Sequence, residues 1–232
     1  MSKLEIIPIE GLPEIFPGDD LIEIIGQDGQ VASGDILVIT QKIISKAENQ
    51  IVKVDPEDPL SHKPLVEEES VRILRRRGDL IISETKHGFV CANAGIDLSN
   101  VERGQAALLP EDSDRSARRI RDGLKGKFNL NVGVIISDTF GRPWRRGLTD
   151  VAIGSSGVLP ILDLRGSPDA FGREMQVTEV ALVDELSSAA ELVMGKSSGI
   201  PVAIIRGADK SWFGLGSVKD QIIRDPKDDL FR

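Results

Sequence analysis

Three short runs of nearly unbroken aliphatic residues constrain this chain more than any other feature: Ile36-Leu37-Val38-Ile39, Val132-Gly133-Val134-Ile135-Ile136 and Val202-Ala203-Ile204-Ile205. Each reads as a buried strand bounded by turn residues. Leu4 to Ile9 adds an extended piece closed by Glu10-Gly11-Leu12-Pro13, and Leu80 to Thr85 with Gly88 to Cys91 reads as two strands around a Lys86-His87-Gly88 turn. Helical spacing is expected over Asp20 to Gly26, Leu65 to Arg77, Ser113 to Lys127 with Ser113 as cap, and Glu179 to Met194, whose Val180, Val183, Leu186, Ala190 and Val193 form one stripe. The arginines Arg72, Arg75, Arg76 and Arg77 would then sit at a helix C-terminus, where the macrodipole favours them. Val54 to Pro64 has loop character, Thr149 to Gly157 is small and glycine-rich, and the tail from Lys219 to Arg232 reads as partly helical. Strands and helices mix without a strict βαβ rhythm, so the fold class is α+β, in one large domain or two small lobes.

A length of 232 residues with 40% hydrophobic and 28% charged residues gives a core large enough to fold without disulfides or a structural metal. A net charge of −8 excludes a nucleic-acid footprint spread over the whole domain, so any anionic ligand must meet local basic clusters. Cys91 is the single cysteine, which rules out an intramolecular disulfide and a cysteine zinc cage. The segment Met1 to Glu10 is broken by charges and Pro8, and no apolar run approaches the roughly 18 residues of a membrane-spanning helix. The expected location is the cytoplasm, with no membrane partner.

No G-x-x-x-x-G-K-[ST] loop and no complete dinucleotide-binding glycine motif is present, and His62 and His87 lack metal-ligand spacing or a serine elbow. An enzyme built from these residues would use a hard, oxygen-bound metal, magnesium or manganese, held by aspartates. Asp138 follows the Val132 to Ile136 strand in Ser137-Asp138-Thr139-Phe140-Gly141-Arg142-Pro143-Trp144-Arg145-Arg146-Gly147. Such a carboxylate needs a cation partner, either a metal or a salt bridge to Arg142 or Arg145. Thr139 could add a hydroxyl ligand or cap a turn. Asp97, between Gly95 and Ser99, could ligate or close an Asx-turn. Arg142, Arg145 and Arg146 could hold a phosphate or carboxylate or form a solvated turn. The stretch from Met194 to Pro201 could wrap a nucleotide or simply end a helix.

Taken in order, Ile9-Glu10-Gly11-Leu12-Pro13, Ile44-Ser45-Lys46-Ala47-Glu48, Asn93-Ala94-Gly95-Ile96-Asp97 to Asn100, Ser137-Asp138-Thr139 to Gly147, Phe171-Gly172-Arg173-Glu174, Met194-Gly195 and Gly199-Ile200-Pro201 to Arg206-Gly207 resemble the coenzyme F420-0:L-glutamate ligase family. The resemblance spans nearly the whole chain. It implies a single ligase domain over residues 1–232, with two intertwined lobes and mixed sheets. Longer members carry a nitroreductase-like domain after this one, an activity not expected here. The implied reaction joins L-glutamate to the lactyl carboxylate of the F420 precursor, with GTP as co-substrate, magnesium or manganese, a monovalent cation and an acyl-phosphate intermediate, in a homodimer.

Residue by residue, the resemblance places metal ligands on Asp97, Asp138 and Thr139. It places nucleotide contacts on Leu12, Pro13, Glu14, Ile15, Gln41, Lys42, Lys46, Asn100, Met194, Gly195, Lys196, Ser197, Ser198, Gly199, Ile200 and Pro201. Arg142, Arg145 and Arg146 are inferred, from their charge, to hold the anionic substrate. No further catalytic residue is assigned. The chain departs from the pattern at Lys196, where archaeal members show Glu or Gln as a ligand of the second metal. An ammonium does not ligate a cation, so either the second metal binds differently or Lys196 takes over part of its charge. Two other readings stay open: a ligase of the same fold acting on another carboxylate, and a GTP- and metal-binding sensor without catalysis.

Overall fold

The computed structural model of the chain describes residues 3–230. In chain order the elements are β1 (Glu5–Pro8), α1 (Leu21–Gly26), β2 (Ile36–Thr40), α2 (Gln41–Ala47), β3 (Ile51–Lys53), α3 (Lys63–Glu68), β4 (Ser70–Arg77), β5 (Leu80–Thr85), β6 (Val90–Ala92), β7 (Gln105–Ala107), α4 (Ser113–Phe128), β8 (Gly133–Arg142), β9 (Arg145–Ser156), β10 (Leu162–Asp163), β11 (Glu179–Val180), α5 (Leu182–Met194), β12 (Val202–Arg206) and α6 (Val218–Gln221). The α+β class expected from the sequence is the class observed, with several sheets and packed helices.

The three aliphatic runs become β2, β8 and β12, the middle of a five-stranded sheet in the order β1-β12-β2-β8-β9. Only β2 and β8 run parallel in it; the other pairings are antiparallel. Strand alternation sends successive side chains to opposite faces. Leu37, Ile39, Val134, Ile136 and Ile204 join Ile120 and Leu124 of α4 on one face, with Ile25 of α1 and Ile44 of α2. Ile36, Val38, Ile135, Ala203 and Ile205 meet Val183, Leu186, Ala190 and Met194 of α5 on the other. Both faces are dry, which is why these strands read as continuous rather than alternating apolar runs. Each fully buried Ile or Leu contributes roughly 1.5–3 kcal/mol of hydrophobic stabilisation. A third, smaller core of Val66, Ile81, Ala94, Ile96 and Ala106 belongs to the segment between α2 and α4.

Two contacts fix α4 against the sheet. Gly154 on β9 lies so close to α4 that a Cβ would stand 2.3 Å from the carbonyl carbon of Ser113, a space only glycine fits. The Asp114 carboxylate accepts backbone N–H bonds from Ser155 (2.8 Å), Val218 (2.9 Å) and Lys219 (3.1 Å), tying α4, β9 and α6 together. At the opposite end of β2, buried Asp35 takes two bonds from the Arg206 guanidinium, at 3.0 and 2.7 Å.

Several sequence expectations need correction. The helix over Leu65 to Arg77 is α3 followed by β4, so Arg72, Arg75, Arg76 and Arg77 lie on a strand paired with β5. The strand shows no clean alternation, with Val71 and the arginines exposed, Ile73 and Leu74 half-buried, and two register shifts against β5, so its sequence carries no period-two signal. Asp112, not Ser113, caps α4, its side chain accepting the Arg115 N–H at 2.9 Å. The Thr149 to Gly157 stretch is the buried half of β9. The strand after Val132 does not stop at Ile136 but runs to Arg142, so Asp138 lies within it. The long helix begins at Leu182, because Glu179 and Val180 pair with β10. Met1, Ser2, Phe231 and Arg232, which belong to the terminal readings, lie outside the described residues. Among the described residues, no helix is long and apolar enough to cross a membrane.

Candidate functional site

The carboxyl end of β2, together with the Ser137 to Gly141 stretch of β8 beside and beyond it, opens into a cleft of about 1210 Å³. That is room for a nucleotide and a second substrate together. Thr40 ends β2 opposite Ser137, and α2 begins at once with Gln41 and Lys42, so Lys42 and Lys46, four residues apart on one side of that helix, both line the cleft. Across from them, Asn93, Ala94 and Gly95 all adopt positive φ (50°, 53° and 73°) in a single 3₁₀ turn. This tight reversal delivers Asp97, whose backbone pairs with Ala107 (3.0 and 2.8 Å).

Asp97 is heavily engaged. It accepts Ser99 N–H (2.6 Å) and Ser99 Oγ–H (3.0 Å), and Lys42 Nζ lies 2.7 Å from its Oδ2. Burial pushes its carboxyl up, but Lys42 and the Ser99 donors outweigh this and hold it below the usual carboxylate range. The Asx-turn and the charged site therefore coexist. Asp138 is the opposite case. Its Oδ1 accepts the Thr139 N–H at 2.8 Å, and no ion pair forms with it among the described residues. Burial, and then the nearby charges of Asp97 and Asp150, push its carboxyl up to about 7, against the opposing Thr139 N–H bond and the more distant Lys42 charge. Neither Arg142 nor Arg145 pairs with it: both lie at the exposed tip of the β8–β9 hairpin, where Arg142 donates to the Arg146 carbonyl (3.3 Å).

Asp138 and Thr139 leave β8 on opposite faces. Asp138 faces Asp97 and α2. Thr139 faces α5 and stands opposite Asp150 of β9. Thr139 Oγ1 donates to Asp150 Oδ1 (2.7 Å), Ser137 Oγ donates to Asp150 Oδ2 (3.2 Å), and Lys196 Nζ donates to Thr139 Oγ1 (2.5 Å) and Asp150 Oδ1 (2.8 Å). Glu191 of α5 completes the group, its Oε1 2.8 Å from Lys196 Nζ. Among the described residues no set of three His, Cys, Asp or Glu side chains is gathered as a ready metal site. The Asp97–Asp138 face nonetheless fits a hard divalent ion, because the half-buried Asp138 forms no ion pair among the described residues and only Asp97 is engaged by Lys42. The Thr139 face does not fit one, because its oxygens already surround an ammonium.

Leu12, Pro13, Glu14, Ile15, Gln41, Lys42, Lys46, Asn100, Gly195, Lys196, Ser197, Gly199, Ile200 and Pro201 all line the cleft. Lys46 pairs with Glu14 across it. The Gln41 amide is turned inward, donating to Ser45 Oγ (2.5 Å) and the Leu108 carbonyl (2.9 Å). Met194 is fully buried in the α5 core, and Ser198 bonds back to the Met194 carbonyl, so neither forms part of the wall. Arg142, Arg145 and Arg146 do not line the cleft either. Asp150 and Glu191 were not singled out from the sequence: Asp150 sat inside a stretch read as small and glycine-rich, and Glu191 looked like one charge on the wet side of a helix. Their only signal is an acid at each site, which by itself is ordinary.

Residues 11–207 match the F420-0:Gamma-glutamyl ligase family. The chain is 42% identical to the coenzyme F420:L-glutamate ligase of Methanopyrus kandleri, an alignment covering 99% of this chain and 97% of that one. It is 43% identical to the enzyme of the same name from Methanocaldococcus jannaschii (99% and 97% covered) and 42% identical to that of Methanothermobacter thermautotrophicus (99% of both). With most of the chain inside the family match and identity above 40% over nearly full length, the chain belongs to the F420-0:gamma-glutamyl ligase family.

Proposed function

We propose that this protein is a GTP- and divalent-metal-dependent ligase that joins L-glutamate to the lactyl carboxylate of the coenzyme F420 precursor through an acyl phosphate. The names of its relatives supply coenzyme F420 and L-glutamate, and the lactyl carboxylate is what the family resemblance implies. The observation that carries the chemistry is Asp138, a half-buried carboxylate in no ion pair among the described residues, near Asp97 in a cleft lined by Lys42 and Lys46. Asp97 and Asp138 would hold the metal, which when bound offsets charge on the phosphate oxygens. Lys42 and Lys46 sit on the first two turns of α2 and supply positive charge for the phosphates. The loop from Gly195 to Pro201, with Gly195 and Gly199 at positive φ (61° and 71°), offers backbone around the nucleotide.

The balance of the reaction is simple. A substrate carboxylate oxygen attacks the γ-phosphorus of GTP, the bond to the β-phosphate oxygen breaks, and GDP leaves. The glutamate amine then attacks the acyl carbon, the amide forms, and phosphate departs with the carboxylate oxygen. Positioning and charge stabilisation do most of the work in such transfers.

Mass spectrometry after incubation with GTP, manganese, glutamate and the unglutamylated precursor tests this. The expected result is a product heavier by one glutamyl residue, formed with one GDP. No mass gain with GTP or with any other nucleoside triphosphate would sink the proposal, and turnover only with a different carboxylate would reassign its substrate.

A further inference from the structure

We propose that Lys196 is a tethered cation which stands in for a second divalent ion, so that this chain binds a single divalent metal alongside its nucleotide. The inference rests on the metal and nucleotide reading above and goes beyond it. Its basis is the set of three oxygens around Lys196 Nζ: Asp150 Oδ1 at 2.8 Å, Glu191 Oε1 at 2.8 Å and Thr139 Oγ1 at 2.5 Å. An ammonium has three donors, and all three are taken up by protein. Two carboxylates and a hydroxyl are the hard oxygen set that a magnesium or manganese ion takes. Here a nitrogen fills its centre.

Three elements converge on this point. Thr139 comes from β8, Asp150 from the facing position on β9 and Glu191 from the last turn of α5, while Lys196 swings back from the loop just beyond that helix. The Asp150 side chain is only 3% exposed, so its charge requires a partner. Lys196 also lines the cleft, which leaves its positive charge available to a phosphate on the other side. The Asp97–Asp138 pair lies across the strand, since Asp138 and Thr139 alternate. One face of β8 therefore remains for a metal, and the other carries its cation covalently. A covalently held charge cannot be chelated or diluted away.

Titrating the full chain with manganese(II) at saturating GDP, with free manganese read by electron paramagnetic resonance, tests this directly. The wild type is expected to bind one manganese per chain and Lys196→Gln two, the second ion broadening the signal of the first. Lys196→Arg keeps the charge and should stay at one, which controls for any general loosening of the site. Two ions bound to the wild type, or one bound to a folded Lys196→Gln chain, overturns the tethered-cation role. No manganese bound by any of the three proteins overturns the metal reading itself, a result distinct from either.

Discussion

Asp138→Asn should cost more than about 100-fold in ligation rate and at the same time make the metal-free protein more stable at neutral pH. The rate loss follows from removing a direct ligand, since even residues that merely orient ligands are worth about 10- to 100-fold. The gain in stability follows from electrostatics. Burial and the charges of Asp97 and Asp150 raise the Asp138 carboxyl from its ordinary 3.8 to about 7 in the folded chain. Between those values the folded state holds a proton that the unfolded state has released, so wild-type stability falls as pH rises through that window and levels off above it. Asparagine carries no such charge. The stability advantage of the variant should therefore be absent near pH 4, grow towards pH 7 and persist at pH 8, as followed by urea denaturation with chelator present. Equal or lower stability of the variant at pH 8 would mean that the Asp138 charge is compensated by the protein itself and needs no metal.

Asp114→Ala should produce the largest structural loss. Its carboxylate satisfies three backbone donors, on Ser155, Val218 and Lys219, that belong to separate elements. The Ser155 and Val218 bonds are buried and that of Lys219 only partly so; each buried donor left unpaired costs about 1–3 kcal/mol, so the loss should reach at least about 2 kcal/mol against the total of about 5–15 kcal/mol typical of a domain. The midpoint of urea unfolding should drop accordingly with the slope unchanged. Asp114→Asn, which keeps one acceptor oxygen, should fall between. A shift below about 1 kcal/mol would show that water replaces the carboxylate and that the junction of α4, β9 and α6 is looser than its distances indicate.

The central sheet was legible because β2, β8 and β12 are dry on both faces, and aliphatic runs of that length have few other uses. The lysines of α2 were legible as chemistry because they follow directly on the aliphatic strand β2, Asp138 because it comes just after the aliphatic run of β8, and the ordered resemblance placed Asp97 with them. The stretch from Leu65 to Arg77 was not, because β4 is irregular, mostly exposed and twice shifted in register, so it lacks the alternation of a half-buried strand; pairing with β5 holds it. Asp150 and Glu191 were hidden for a different reason. Their meaning comes from Lys196, which meets them only once β9 lies beside β8 and α5 ends next to both. A tertiary contact between three elements leaves no periodic trace. Arg142, Arg145 and Arg146 show the converse: a dense basic motif in sequence that the hairpin carries to an exposed tip, outside the cleft wall.

Under the proposed function, a substrate carboxylate is activated as an acyl phosphate on the Asp97–Asp138 face of the cleft. The direct measurement uses precursor carrying oxygen-18 in its lactyl carboxylate, turned over with GTP, manganese and glutamate, with the inorganic phosphate then analysed for isotope. The prediction is one labelled oxygen in the phosphate for each amide formed. Amide formation with unlabelled phosphate, or with the label carried into a nucleoside monophosphate, would contradict it.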